Sequence, residues 1–257
     1  MITEETFGRI TEAAGTYRYS SLEYTDFEDC RGADVIQEGD GVILLCDHGQ
    51  SPAFLYFAAD DFHKVIEKIE KMKEPLRINF VPHAYAQKLF DIGFEVLGEY
   101  IDYVHKDLKA SAIGPYSHEG MEFLSGDECG AASLVSQTVK GQSRGFGGET
   151  AAWFAEWIAE NDVLVVREKG EIAGYCCVAV YNGGTTLWIR EIAVSPAFQG
   201  KGYGQKLIEQ AISYGIQKGA AKGFLAVDTM NRSAIHIYEK YGFLSRGGEG
   251  ELQMIRR

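Results

Sequence analysis

The sequence has little of what marks several common classes of protein. Basic residues are outnumbered, 25 Lys and Arg against 37 Asp and Glu, for a net charge of −12. A nucleic-acid binder needs a basic face to neutralise phosphates, so no nucleic-acid partner is expected. No apolar run approaches the roughly 18 residues that cross a bilayer, and the opening MITEETFGRITEAAG lacks the basic segment and apolar run of a secretory signal. No membrane association is therefore expected. Cysteine is scarce: Cys30, Cys46, Cys129, Cys176 and Cys177 make 5, scattered and without C-x-x-C spacing. They read as reduced thiols of a cytoplasmic protein, neither a disulfide frame nor a zinc site. His48 and His63 show no metal-ligand spacing either, so no metal is expected. What is present is ordinary globular material, 46% hydrophobic and 24% charged, over 257 residues, enough for one large domain or two moderate ones. The acidic balance mildly favours a cationic small-molecule substrate.

The second half is the easier to read. MEFLSG (121–126) has strand character and 127–139 a helical pattern. KGQSRGFGGE (140–149) has no periodicity and reads as a loop, and TAAWFAEWIAE (150–160) returns to helical spacing. DVLVVRE and EIAGYCCVAVY form a hairpin across Lys169-Gly170, and TTLWIREIAV is a third strand after the turn NGG. A helix to about Lys218, the buried strand FLAVD (224–228), a helix closed by Gly242 and a last strand ELQMIR complete it.

The first half carries similar pieces: a hairpin pattern over 39–60, an amphipathic helix over 61–73, the strand LRINF, a helix over 84–94 and an alternating strand over 95–108. A helix runs into Gly-Phe at Gly93-Phe94 and again at Gly242-Phe243, 149 positions apart (242 − 93). Each lies about fifteen residues after the centre of an apolar strand. This weak internal repeat predicts two related domains, 1–112 and 113–257, joined through KASAIGPYS (109–117).

The stretch SPAFQGKGYGQKLIEQA (195–211) raises the functional question. It is not a P-loop, because Gly200-Lys201 is followed by Gly202 and no glycine lies five before Gly200. It is not the dinucleotide fingerprint either, because its spacing is G-x-G-x-G. What remains is Q-x-x-G-x-G, Gln199 to Gly204, after a strand and opening a helix. Glycines there let the backbone approach a ligand, and successive N–H groups at a helix N-terminus favour an anion. An acidic protein can hold a pyrophosphate in this way without a basic face.

This loop resembles the signature of the GNAT N-acetyltransferase family. The preceding IREIAVSP resembles that family's fourth strand. The later N-x-x-A-x-x-x-Y-x-x-x-G-F, set by Asn231, Ala234, Tyr238, Gly242 and Phe243, resembles its second conserved block. The motifs cover about 190–245, and the strand order extends the likeness back to about 121.

The resemblance implies an acyl-CoA N-acyltransferase fold of mixed α/β (α+β) type. That is a mostly antiparallel, splayed sheet flanked by helices, here in two tandem domains. It implies acetyl-CoA as co-substrate, no metal, and direct transfer of acetyl to a primary amine of a small molecule. A protein or peptide N-acetyltransferase, or a non-catalytic acyl-CoA-binding sensor, are the alternatives. Cofactor contacts would come from Gln199, Gly200, Lys201, Gly202, Tyr203 and Gly204. The exposed backbone of Ile192, Ala193 and Val194 would pair with pantetheine amides. Asn231 would hold the cofactor arm, cap a helix, or do both. Tyr238 falls on the general-acid tyrosine position, and a backbone N–H near Ile192 or Ala193 would polarise the thioester carbonyl. Glu191, the only acid on the third strand, is the candidate base, directly or through water, although strand alternation leaves its face undecided. Cys176 and Cys177 read as packing residues. In the first domain Leu89 takes the place of Tyr238 and Pro82 faces Asn231, so that half reads as a degenerate copy that walls the substrate cleft or replaces a dimer partner. Monomer and homodimer both remain open.

Overall fold

The computed structural model describes residues 1–114 and 120–257, so the last residues of the expected 109–117 linker lie outside the described residues. The chain divides into two compact units, Met1–Glu99 with Glu249–Arg257, and Tyr100–Gly248. In the first unit, α1 (Glu4–Ala14), β1 (Tyr19–Ser20) and α2 (Phe27–Cys30) precede the antiparallel run β2 (Asp34–Gly39), β3 (Val42–Asp47) and β4 (Ala53–Ala59). All six residues of β3 are buried, the apolar Val42–Cys46 as a run covered on both faces should be, with Asp47 at its end. After α3 (Phe62–Ile69), β5 (Leu76–Pro82) pairs parallel to β4, and α4 (Ala86–Asp91) follows.

The second unit repeats the plan. Most of β6 (Glu95–His105) belongs to it, followed by β7 (Glu122–Phe123), α5 (Cys129–Thr138), α6 (Ala151–Glu160) and β8 (Asp162–Glu168). Then come β9 (Glu171–Tyr181), β10 (Thr186–Val194), α7 (Tyr203–Gln217), β11 (Lys222–Asp228), α8 (Arg232–Lys240) and the short β12 (Leu244–Ser245). Strands β7 to β10 are antiparallel neighbours, and β11 pairs parallel to β10. The final strand β13 (Glu251–Arg256) returns to the first unit and pairs antiparallel with β5.

These pairings correct the expected domain limits. The alternating strand over 95–108 is not the last strand of the first domain, because from Tyr100 onward it pairs with β11. ELQMIR, expected to close the second domain, closes the first instead. Each unit thus receives its last antiparallel strand from beyond the boundary set by sequence. Strand character is local, whereas strand partnership is settled by which apolar face needs covering.

Candidate active site

Strands β10 and β11 are paired only at 186–188 with 222–224, after which they diverge. The divergence leaves backbone of β10 beyond Trp188 without a strand on that side among the described residues, the expected splay. Within β10 the register against β9 slips between Ile189 and Glu191, so Arg190 is an extra, bulged residue. Before the bulge Leu187 and Ile189 pack with the core under α7. After it, Ala193 packs with Tyr175 and Cys177 on the opposite side, and Glu191, paired opposite Cys177, shares that face. A bulge inserts one residue and thereby inverts the alternation that follows it. This is what decides the face of Glu191.

The Glu191 side chain is only 12% exposed. The hydroxyl of Tyr175, itself buried, donates a hydrogen bond to its Oε1. Burial is the main force pushing the Glu191 carboxyl up, to about 7; Glu149 adds to the rise, while the Tyr175 hydrogen bond and Arg190 oppose it. A carboxyl poised near neutrality is suited to general-base work. Arg190 lies 3.2 Å from Glu149 Oε1 and 3.7 Å from Glu191 Oε2. Its guanidinium sits 4.2 Å from the ring centroid of Trp153, which stacks on Trp157 at 5.3 Å, and Trp157 meets Trp188 edge-on. The 3 tryptophans of the chain therefore gather beside the acid. Sequence reading missed Tyr175 and this wall; the signal available was the i, i+4 pair of tryptophans on α6.

Tyr238, on α8, has no hydrogen-bond partner for its hydroxyl among the described residues. Burial, with Cys176 and Glu191 adding to it, pushes the phenol above its ordinary value, so it stays protonated at neutral pH. Its ring packs 6.5 Å from Phe243. Cys176 and Cys177 are fully buried in the core and burial raises both thiols, as packing residues have them.

Two of the three loop glycines take the backbone angles that their spacing implies. Gly200 and Gly202 have φ of +76° and +87°, the left-handed region that side chains avoid. Gly202 is the N-cap of α7 and offers no side-chain cap, so the first amides of that helix are left for an anion. Gly204, expected to share that freedom, sits in ordinary helix, where a Cβ would only touch Ile237 at 3.5 Å. Lys201 and Tyr203, expected at the cofactor, both engage Glu168, at 3.0 and 2.9 Å. The carbonyl of Val194, expected to be open to pantetheine, accepts from Gln199 Nε2 at 2.9 Å. Ile192 and Ala193 lie on the diverging part of β10, Ile192 half-buried and Ala193 buried. Asn231 caps α8, its side chain accepting from the Ala234 amide at 3.2 Å. In the first unit the helix that matches α7, α3, is capped by the Asp61 carboxylate, which accepts from the His63 amide. An acid there repels phosphate, and the position matching Tyr238 is the core residue Leu89.

The loop over 140–149 ties these parts together. Gln142 accepts from Gln199 at 3.1 Å, Ser143 from Asn231 at 3.3 Å, and Arg144 forms a forked pair with the buried Asp228, 2.6 Å at its shortest. Burial pushes the Asp228 carboxyl up, but hydrogen bonds from Arg144 and the Met230 amide outweigh it and leave it below the ordinary value.

A family model described as Acetyltransferase (GNAT) family matches residues 136–243, which include the bulge, the glycine loop and the Tyr238 helix. Residues 136–243 are a GNAT acetyltransferase domain. The chain is 33% identical over 89 residues to the streptothricin acetyltransferase of Streptomyces lavendulae, covering 35% of this chain and 47% of that protein. It is 43% identical over 90 residues to the spermidine N(1)-acetyltransferase of Escherichia coli K12, again 35% of this chain and 47% of that protein. The chain thus spans about half the length of these relatives. In fold, it superposes on a GCN5-related N-acetyltransferase from Sphaerobacter thermophilus with a TM-score of 0.59 at 15% identity, over 96% of this chain and 88% of that one. The GNAT fold, a splayed and mostly antiparallel sheet with helices, is therefore the fold observed here. No helix among the described residues is long and apolar enough to cross a membrane.

Proposed function

We propose that the chain moves the acetyl group of acetyl-CoA directly onto a primary amine of a small molecule. The observation that carries this reading is the Glu191 carboxyl, turned by the Arg190 bulge onto the face of Tyr175 and poised near 7, beside the divergence of β10 and β11. The uncapped N-terminus of α7 and the left-handed Gly200 and Gly202 fit a pyrophosphate, and the unpaired edge of β10 fits an amide-bearing arm. Acetyl-CoA, when bound, supplies a thioester carbon activated toward an amine.

The chain's own groups supply the rest. The α7 amides hold the diphosphate, with Asn231 and the β10 edge near Ile192 and Ala193 orienting the arm. A backbone N–H on that edge polarises the carbonyl. Glu191 takes a proton from the acceptor ammonium, which must be neutral to attack. Tyr238 Oη, protonated and otherwise unengaged, holds a proton for the departing sulfur. The tryptophan wall, with Arg190 seated on it and paired to Glu149, gives the Glu191 face an aromatic lining. A working base and an available phenol favour an enzyme over a sensor that only binds acyl-CoA. The five cysteines are all free, which fits a reducing compartment such as the cytoplasm.

The test is thiol release from acetyl-CoA across a panel of small amines and peptides. Turnover on a small amine, with kcat lowered in Tyr238→Phe and acetyl-CoA affinity kept, is expected. Binding of acetyl-CoA without thiol release on any amine overturns the enzyme reading.

A further inference from the structure

Away from the GNAT domain, three side chains of the first unit converge. Cys46 lies one residue before the end of β3, His48 two positions on, and Glu74 just ahead of β5. The Cys46 Sγ is 3.7 Å from His48 Nδ1, and His48 Nδ1 is 3.6 Å from Glu74 Oε1. Among the described residues these form a group of His, Cys and carboxylate ligand atoms lying within 4.8 Å of one another. The separations have a meaning. A tetrahedral zinc ion, with bonds of about 2.3 Å to sulfur and about 2.0–2.1 Å to nitrogen and oxygen, sets ligand-to-ligand edges of about 3.3–3.6 Å. The two separations from His48 Nδ1 lie within a few tenths of an ångström of those edges, and the third, from sulfur to carboxylate, is under 4.8 Å.

An ordinary ion pair is the competing account of His48 and Glu74. Exposed pairs of that kind contribute about 0–1 kcal/mol, and Cys46, two positions before His48, brings its thiol within hydrogen-bond distance of the same imidazole nitrogen. The donor set also discriminates among ions. Calcium and magnesium take six or more oxygens, whereas thiolate, imidazole and carboxylate together suit zinc-class ions. Access is available, because Cys46 forms the buried floor while His48 and Glu74 are partly exposed at the rim. Asp34, paired opposite Cys46 on β2, adds negative charge nearby.

We propose that Cys46, His48 and Glu74 form a binding site for a zinc-class divalent ion, with water completing a four-coordinate shell. Binding exchanges the Cys46 S–H proton, released to solvent, for a sulfur–metal bond, so affinity rises with pH. The spacing of Cys46 and His48 alone gave no hint of the site, because the third ligand comes from 26 positions beyond His48 (74 − 48).

The full-length chain, stripped with a chelator, is titrated with Co2+ alone. The site predicts a near-ultraviolet thiolate-to-cobalt band and tetrahedral visible bands at one ion per chain, both erased by added Zn2+. Cys46→Ser removes the thiolate band, and His48→Ala and Glu74→Gln each weaken Co2+ binding at least tenfold. Zinc raises the Tm of the wild type and not that of His48→Ala, a rim variant that leaves the core intact. Absence of a thiolate band at millimolar Co2+ overturns the site. So does a band that survives in Cys46→Ser, or one that is unchanged by His48→Ala.

Discussion

The Tyr175 hydroxyl donates to the Glu191 carboxylate from the neighbouring strand, and the pair faces away from the α7 core because Arg190 bulges out of β10. One inserted residue turns onto the Tyr175 face an acid that strict alternation would point into the α7 core. Its consequences, and those of the loop and the core beside it, are measurable.

Glu191→Gln is expected to lower kcat/KM by about 10²–10⁴-fold, the usual worth of a positioned base. The base works ionised and its carboxyl stands at about 7, so wild-type kcat/KM climbs as pH rises through about 7 and levels above it. The variant loses that limb. A limb that persists in Glu191→Gln assigns the titration to another group.

Tyr175→Phe removes a hydrogen bond that favours the ionised carboxylate, so the Glu191 carboxyl rises and the acidic limb moves to higher pH. Activity at high pH, where Glu191 is ionised in either case, falls less. A pH–rate profile superimposable on the wild type contradicts this positioning role. Stability falls by about 1–2 kcal/mol, since a buried polar contact is lost.

Gly202→Val forces a branched side chain to φ +87° at the N-cap of α7. Left-handed backbone costs an L-residue about 1–2 kcal/mol, and the methyls stand where an anion must approach the amides. Acetyl-CoA binding measured by calorimetry should weaken at least tenfold, with helix content by circular dichroism retained. Unchanged affinity refutes the loop as the diphosphate grip.

Gly242→Ala is expected to destabilise the fold by about 2–4 kcal/mol. The position has φ +88°, and a Cβ would lie 2.6 Å from His105 Nε2. His105 is itself a pH-sensitive element. Burial holds its imidazole below the ordinary value, while hydrogen bonding and Asp107 pull the other way. On acidification the unfolded chain protonates this histidine first, near pH 6.5, so its contribution is complete above that pH and is lost as pH falls below it. Denaturant unfolding at pH 8 and pH 5.5 checks the slope, which should flatten in His105→Gln.

Much of the site was legible because its signals are local. Gly200 and Gly202 had to adopt unusual angles to turn a strand into a helix within a few residues, and Asn231 had the composition of an N-cap. Tyr238 was singled out by the resemblance to the family's second conserved block, four positions before Gly242. The tryptophans, Tyr175 and Asp228 were illegible because their partners lie on other elements: Trp188 meets Trp157 only after β10 and α6 pack, and Arg144 reaches Asp228 across 84 positions. Lys201 and Tyr203 sit in the motif, yet Glu168 from another strand claims both.

The sequence by itself determined the strands and helices, the left-handed glycine turn and the order of the motifs, since each depends on backbone preferences within a few residues. Tertiary structure alone decided the face of Glu191, the strand partners of β6 and β13, and the meeting of Cys46 and His48 with Glu74. Register, bulging and strand partnership are set by which distant apolar surface is covered, and one residue of slip turns every later side chain to the other face.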